Sequence, residues 1–455
     1  MKPTRPAARN LAITSRRHLW YPFTQMAGWN KEPPLIIVRG RGPYLWGHDG
    51  RRYLDGTSSL WVNLHGHRHP VLDRAIEAQL SRVAHSTLLG LSHAPAIKLA
   101  GELVQRAPRG LSRVFYSDNG STAVEVALKM AFQFWQLSGG AGRRKRLFVS
   151  FANAYHGDTL GAVSVGGIDL FHQRFAPLLF PTLKVHAPYC YRCPLGLRYP
   201  ECGIACLDQL ERTLTQRKDE IAGVIVEPLI QAAAGMLAAP PGHLRRVREL
   251  TSRHDVIMIA DEVATGFGRT GRFFACEHEA VSPDLMAVAK GLTGGYLPLA
   301  ATLTTERLYR SFLGPYKSFR TFFHGHSYTG NPLGCAAALA NLKIFDTEHT
   351  LARARSTISD LREALESITA LPHVGQVRQR GLMVGIELVK NRGNREPYAL
   401  ARRTGYQVCR EARRRGLLLR PLRDVIVLMP PLTATRPVLR RMADIVGRSI
   451  QAVTG

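Results

Sequence analysis

The chain has 455 residues, 45% of them hydrophobic, which exceeds one ordinary core and implies two or three packed units with room for a large active site. Its formal charge of +27 raises a nucleic-acid partner, but the basic residues are spread out in short runs such as 143–146 and 413–415, without an aromatic-interleaved RNA-binding pattern or a DNA-reading helix signature, so the charge reads as an arginine-rich solvated surface. No stretch approaches the roughly 18 consecutive apolar residues of a membrane span and no apolar signal core opens the chain, which predicts a cytoplasmic protein without a membrane partner.

Residues 1–19 are basic and free of acid and are expected to fray, ahead of Leu19-Trp20-Tyr21-Pro22-Phe23, which reads as folded structure. Residues 35–56 alternate and turn like a small hairpin, with Asp49-Gly50 as the turn signal. From about 70 to 330 short apolar runs, at 114–116, 147–149, 224–226, 256–260 and 286–289, alternate with helical patterns. Short buried strands separated by helices predict an α/β fold with a mostly parallel, doubly wound sheet. Beyond Asn331-Pro332 a helical stretch from Ala336 to Phe345 precedes strands near 382–388 and 425–429, as in a smaller α+β domain. The expected division is an N-terminal segment, 1–69, that joins the small domain and the active-site wall, a large domain, 70–335, and a C-terminal domain, 336–455.

Seven cysteines are present. Cys276, Cys335 and Cys409 stand alone in apolar or helical context, as reduced core thiols do. Cys190-x-x-Cys193 and Cys202-x-x-x-Cys206 cluster in a loop rich in Pro, Gly and Tyr. Unligated thiols are expected there; a structural zinc or iron–sulfur site is the alternative, with a spacing shorter than that of common zinc ribbons.

Three features carry chemistry. Ser117-Asp118-Asn119-Gly120-Ser121-Thr122 follows a strand and opens a helix, so its free N–H groups and hydroxyls suit a phosphate, or serve simply as a helix cap. Asp261 ends a buried apolar run just before the glycine-rich stretch 265–271, where α/β sheets bind ligands, although a metal ligand or a cap would also stand there. Lys290 ends the next apolar run, before Gly291. A lysine at a buried strand end needs a partner or a covalent bond. Pyridoxal 5′-phosphate (PLP) would supply both: it forms a Schiff base with a lysine and needs an anion facing its pyridine nitrogen. Tyr155, in Tyr155-His156-Gly157, would stack on the ring or be an ordinary core tyrosine.

Along nearly its whole length the chain resembles the class III (subgroup II) PLP-dependent aminotransferases of fold type I. The matching runs are Asp261 through Gly271, Lys290-Gly291, Tyr155 through Thr159, Glu227-Pro228 and Thr329-Gly330-Asn331-Pro332. A finer likeness is to the branch that aminates 8-amino-7-oxononanoate in biotin biosynthesis. It rests on the runs His18 through Met26, Ser58-Ser59-Leu60-Trp61, His65-Gly66-His67, Phe273 through His278, Arg420-Pro421 and Met429-Pro430-Pro431, and on Ala264, where many relatives carry Gln.

The resemblance implies a two-domain aminotransferase that works as a homodimer with shared active sites. Lys290, Asp261 and Tyr155 would be catalytic. Gly120 and Ser121 would hold the cofactor phosphate, with His326 and Ser327 reaching it from the other subunit, and His156 and Glu227 would flank the cofactor. Phe23, Trp61, Tyr155, Lys290 and Gly325 would meet substrate, and Arg420 would pair with its carboxylate. Members that use S-adenosylmethionine as donor tend to carry Tyr and a Trp-Trp pair where this chain has Phe23 and Leu60-Trp61, so lysine is the alternative donor. Other class III acceptors, such as a diamine, 4-aminobutyrate or ornithine, are the wider alternatives.

Overall fold

The computed structural model describes residues 5–32 and 34–455. A seven-stranded sheet runs in the order Leu111–Ser117, Ala300–Thr305, Leu285–Val288, Ile257–Asp261, Ile221–Val226, Leu147–Phe151, Thr182–Val185. Ala300–Thr305 is antiparallel to both its neighbours, and every other pairing is parallel. Ile221–Val226 and Ile257–Asp261 are buried at every residue, as strands covered on both faces must be. Alternation along one strand divides the core. Ile257 and Ile259 face Val124, Ala127 and Ala131 of the helix Gly120–Ser138, whereas Met258 and Ala260 join the cluster that holds Val247 and Leu250 of His243–Arg253.

A four-stranded antiparallel sheet, Val374–Arg380, Met383–Leu388, Val425–Leu428 and Arg420–Leu422, forms the C-terminal part. The expected hairpin is a three-stranded meander, Ile37–Arg41, Tyr44–Gly47 and Arg52–Asp55, to which Leu417–Leu418 adds a parallel fourth strand. The N-terminal and C-terminal segments therefore share one sheet. Among the described residues no helix is long and apolar enough to cross a membrane.

The expected fraying of 1–19 is corrected: Arg5–His18 is a helix, and residues 1–4 lie outside the described residues. Arg16, Arg17 and His18 occupy its last turn, where positive charge suits the helix dipole. Ser15 is buried, with its hydroxyl 2.5 Å from that of Tyr21. Leu11 and Ile13 stay exposed, so no apolar stripe betrays the helix.

Arg269, 1% exposed, clamps the three parts of the molecule. Its guanidinium donates to Pro430 O at 2.6 Å and to Asn63 O at 2.8 Å, and burial pushes its pKa down to about 9. Arg269→Ala strands two buried carbonyls and leaves a cavity. The expected loss is about 3–5 kcal/mol of stability, seen as a lower midpoint in denaturant. Arg269→Lys does not restore it, because one ammonium cannot span both carbonyls.

Candidate active site

The carboxyl ends of the parallel strands converge on a cavity of about 760 Å³. Asp261 ends its strand and is 5% exposed. One carboxylate oxygen accepts from Val263 N at 3.0 Å, and the other lies 2.7 Å from His156 Nδ1, both side chains being buried. The carboxylate selects the imidazole form that carries a proton on Nδ1, and Nε2 is buried with no partner.

Lys290 follows Leu285–Val288. Its φ of +47° is left-handed, a conformation that costs a side-chain-bearing residue about 1–2 kcal/mol. The side chain lines the cavity, with Nζ 5.2 Å from the Trp61 ring centroid. Burial pushes the Lys290 ammonium below its ordinary pKa, against the opposing pull of Asp261 and then Glu227. A lysine made easier to deprotonate is a better nucleophile near neutral pH.

Glu227 follows Ile221–Val226 and accepts from Tyr155 N at 3.1 Å and Ala232 N at 3.0 Å. Burial, reinforced by the charge of Asp261, pushes its carboxyl up to about 8. Lys290, Asp261 and Glu227 thus stand at or just beyond the ends of three adjacent strands, and the two carboxylates oppose the effect of burial on the Lys290 ammonium. Tyr155 lines the same cavity and donates its hydroxyl to Asp158 at 2.8 Å. Burial raises its phenol so far that it stays protonated.

A helix start with free backbone N–H groups lines another part of the cavity. Asn119 caps the helix Gly120–Ser138 by accepting from Thr122 N at 3.1 Å, and the same helix start opens on the cavity. Ser121 Oγ accepts from Asp158 N at 3.1 Å. Gly157, at φ +128°, passes so close that a Cβ would fall 2.2 Å from that hydroxyl.

Eight of the expected residues share this cavity: Trp61, Gly120, Ser121, Tyr155, His156, Glu227, Asp261 and Lys290. Phe23 and Arg420 line an adjoining open groove of about 940 Å³, with the guanidinium 5.9 Å from the Phe23 ring centroid. Arg420 still lowers the proton affinity of Tyr155 through its charge. Gly325 and Ser327 are exposed and outside the cavity. His326 Nδ1 lies 2.7 Å from Asp118 Oδ2 of its own chain, and Asp118 lines the cavity. Cys190, Cys193, Cys202 and Cys206 are free thiols around a hollow of about 20 Å³. Among the described residues no group of three or more His, Cys, Asp or Glu side chains is arranged to hold a metal ion. Asp158 escapes sequence reading, since only the fold sets it between Tyr155 and Ser121.

Residues 25–450 match the family model for class III aminotransferases. The adenosylmethionine-8-amino-7-oxononanoate aminotransferase of Geobacter sulfurreducens is 53% identical, over 97% of each chain. Among solved structures, the enzyme of the same name from Methanocaldococcus jannaschii superposes with a TM-score of 0.93 at 42% identity, covering 98% of this chain and 99% of that one. A PLP-bound amine transaminase from an uncultivated Pseudomonas species gives 0.90 at 36% identity, covering 96% and 99%.

Glu227 sets a pH dependence of its own. Its raised pKa lets the folded, ligand-free protein keep a proton that the unfolded chain has released. Stability therefore falls as pH rises from about 4.5 to about 8 and levels off above. Glu227→Gln removes that contribution, so the variant's melting midpoint gains on the wild type's as pH rises through the window.

Proposed function

The chain belongs to the class III aminotransferase family, and from that premise we propose that it transfers an amino group from S-adenosylmethionine to the ketone of 8-amino-7-oxononanoate, giving 7,8-diaminononanoate for biotin synthesis. Its cofactor is pyridoxal 5′-phosphate, the cofactor of this family. The observation that carries the reading is Lys290 and Asp261 at the ends of adjacent strands facing one cavity, in a chain so similar to enzymes named for this acceptor and donor.

The residues fit the cofactor. Lys290 Nζ is the group that would bond it, Asp261 would face the ring nitrogen, and Gly120, Ser121 and the helix start would hold the phosphate. Gly157 leaves no room for a Cβ beside Ser121, and the buried Ser117 and Thr159 hydroxyls lack partners within the chain. When bound, the cofactor supplies a carbonyl carbon for the amine and a ring that draws electrons from it. Lys290 Nζ, freed when the donor amine takes its place, would take the proton from the donor carbon and pass it to the cofactor within that half of the cycle, and would carry a proton the opposite way, to the acceptor carbon, in the second half. Asp261, held by His156 and Val263 N, keeps the ring nitrogen protonated. Tyr155, with Asp158 orienting its hydroxyl, would stack on the ring, and His156 and Glu227 would flank it. Trp61 would wall the methylene chain of the acceptor, and Arg420, which takes part in none of the ion pairs among the described residues, would take its carboxylate.

The working form in this proposal is a homodimer. Tyr316, Phe323 and Tyr328 are exposed on the stretch that carries Gly325, His326 and Ser327, and Leu89 and Leu91 are exposed close by, where His85 and Tyr328 have ring centroids 4.7 Å apart. Such an apolar patch supports burial against a second copy, which would bring that loop to a neighbouring site.

Purified protein with PLP and 8-amino-7-oxononanoate is expected to form 7,8-diaminononanoate when given S-adenosylmethionine; product with lysine alone would reassign the donor, and none with either would overturn the acceptor. Lys290→Ala is expected to keep the fold while losing both the Schiff-base absorbance and turnover. Arg420→Ala is expected to raise the acceptor KM about tenfold or more, the equivalent of roughly 1.4 kcal/mol, with a smaller effect on kcat.

A further inference from the structure

Ser58, Ser59, Leu60 and Trp61 have φ of +48°, +51°, +81° and +72°. Four consecutive residues with side chains thus lie in left-handed backbone, at about 1–2 kcal/mol each. None is glycine, so the turn survives only if its surroundings over-determine it. Asp55 supplies the fastening. It is 2% exposed, and its carboxylate accepts from Ser59 N at 3.0 Å and Ser59 Oγ at 2.8 Å, while His67 Nε2 lies 2.9 Å from the oxygen that takes the hydroxyl. Ser58 Oγ donates to Met429 O at 2.8 Å, and Trp61 N donates to Thr57 O at 2.7 Å.

The turn is also keyed to the loop of Lys290. Gly295 passes so close that a Cβ there would stand 2.7 Å from Asn63 N, and a Cβ on Gly291 would stand 3.1 Å from Phe267 and 3.3 Å from Leu64. The product of these contacts is a buried indole, 6% exposed, that faces the Lys290 ammonium and whose Nε1 has no partner within the chain. An ordinary right-handed turn would direct the side chain at 61 elsewhere, because reversing φ reverses the side on which Cβ emerges.

We propose that Asp55, oriented by His67, is a positioning residue for transamination: it holds Ser58–Trp61 in the left-handed turn that sets Trp61 against Lys290 and so shapes the acceptor's pocket. Asp55 touches neither Lys290 nor the cavity; it acts through Trp61. The inference rests on reading the cavity as the transamination site.

The test compares Asp55→Ala, Asp55→Asn, Ser59→Ala and Trp61→Phe in the PLP-loaded enzyme. Steady-state kinetics give KM for 8-amino-7-oxononanoate and kcat. In parallel, the quenching of tryptophan fluorescence when PLP is added to ligand-free protein is measured, with Trp61→Phe defining the share that belongs to Trp61. Asp55→Ala is expected to raise the acceptor KM about tenfold, to change kcat less than about threefold, and to remove most of the Trp61 share of quenching, with PLP affinity kept. Asp55→Asn, which retains one oxygen for Ser59 N, is expected to recover part of both. Ser59→Ala removes a single hydroxyl from a residue at the surface and is expected to fold normally and raise KM about threefold, so loss of the Asp55→Ala protein to misfolding leaves the decision with Ser59→Ala and Asp55→Asn. Wild-type KM and wild-type quenching in these variants overturn the proposal, as does a parallel fall of kcat, PLP affinity and melting midpoint, which is simple unfolding. If the wild type does not turn over the ketone, the proposed reaction fails, and the quenching measurements still decide the role of Asp55.

Discussion

Lys290 sits inside the protein beside Asp261 and Glu227, and burial and charge pull its proton affinity in opposite directions. Isolated, any of the three ionised groups would cost several kcal/mol to bury. Together they offset one another at the geometry in which three neighbouring strands end side by side, with Asp261 paired to Ala287 and Ala260 to Val226. Burial of those strands on both faces, the division of their side chains between two core clusters and the left-handed turn at Lys290 all hold that geometry.

The carboxylates do different work because their neighbours differ. Asp261 faces an imidazole and a backbone N–H. Glu227 also receives two backbone N–H groups, but complete burial and the charge of Asp261 outweigh them. A carboxyl that titrates near neutrality, as Glu227 does, can keep or give up its proton as the charge on Lys290 changes. In the proposed cycle this would let the pocket tolerate a lysine that loses and regains its proton.

The sequence exposes the parts of this arrangement that depend on local pattern. Apolar runs ending in Asp261 and Lys290 announce strands and polar ends at once, and Asn119 before a helical pattern announces a cap. Ala300–Thr305 is less legible: its residues, Ala-Ala-Thr-Leu-Thr-Thr, carry little apolar bulk, and its antiparallel direction follows from the loop after Lys290. Thr182–Val185 is a short edge strand, only partly buried. Arg269 lies in the glycine-rich stretch 265–271, yet its role as a clamp needs two carbonyls more than 150 positions away in one direction and more than 200 in the other. The same holds for the turn at Ser58–Trp61, where no glycine marks the left-handed backbone. Residues that act through distant partners leave no periodic trace.

The cavity wall completes the case for an acceptor with a long aliphatic stretch. Trp61 packs with Ile230, Ala232, Met236, Met383, Val427 and Met429, and Ala233, Ala264 and Leu422 lie against that cluster. Of these, Trp61, Ala232, Ala233 and Ala264 face the cavity, so one wall joins a broad indole to methyl groups. Small side chains leave width beside Lys290, and the indole gives a flat face for methylenes, each worth about 0.8 kcal/mol when buried. A short polar acceptor would gain little from such a wall. Arg420, in the lining of the open groove, is near enough for its charge to reach the Tyr155 phenol. In the proposed reaction Lys290 and Arg420 would mark the two ends between which the acceptor stretches, its carboxylate far from the reacting carbon.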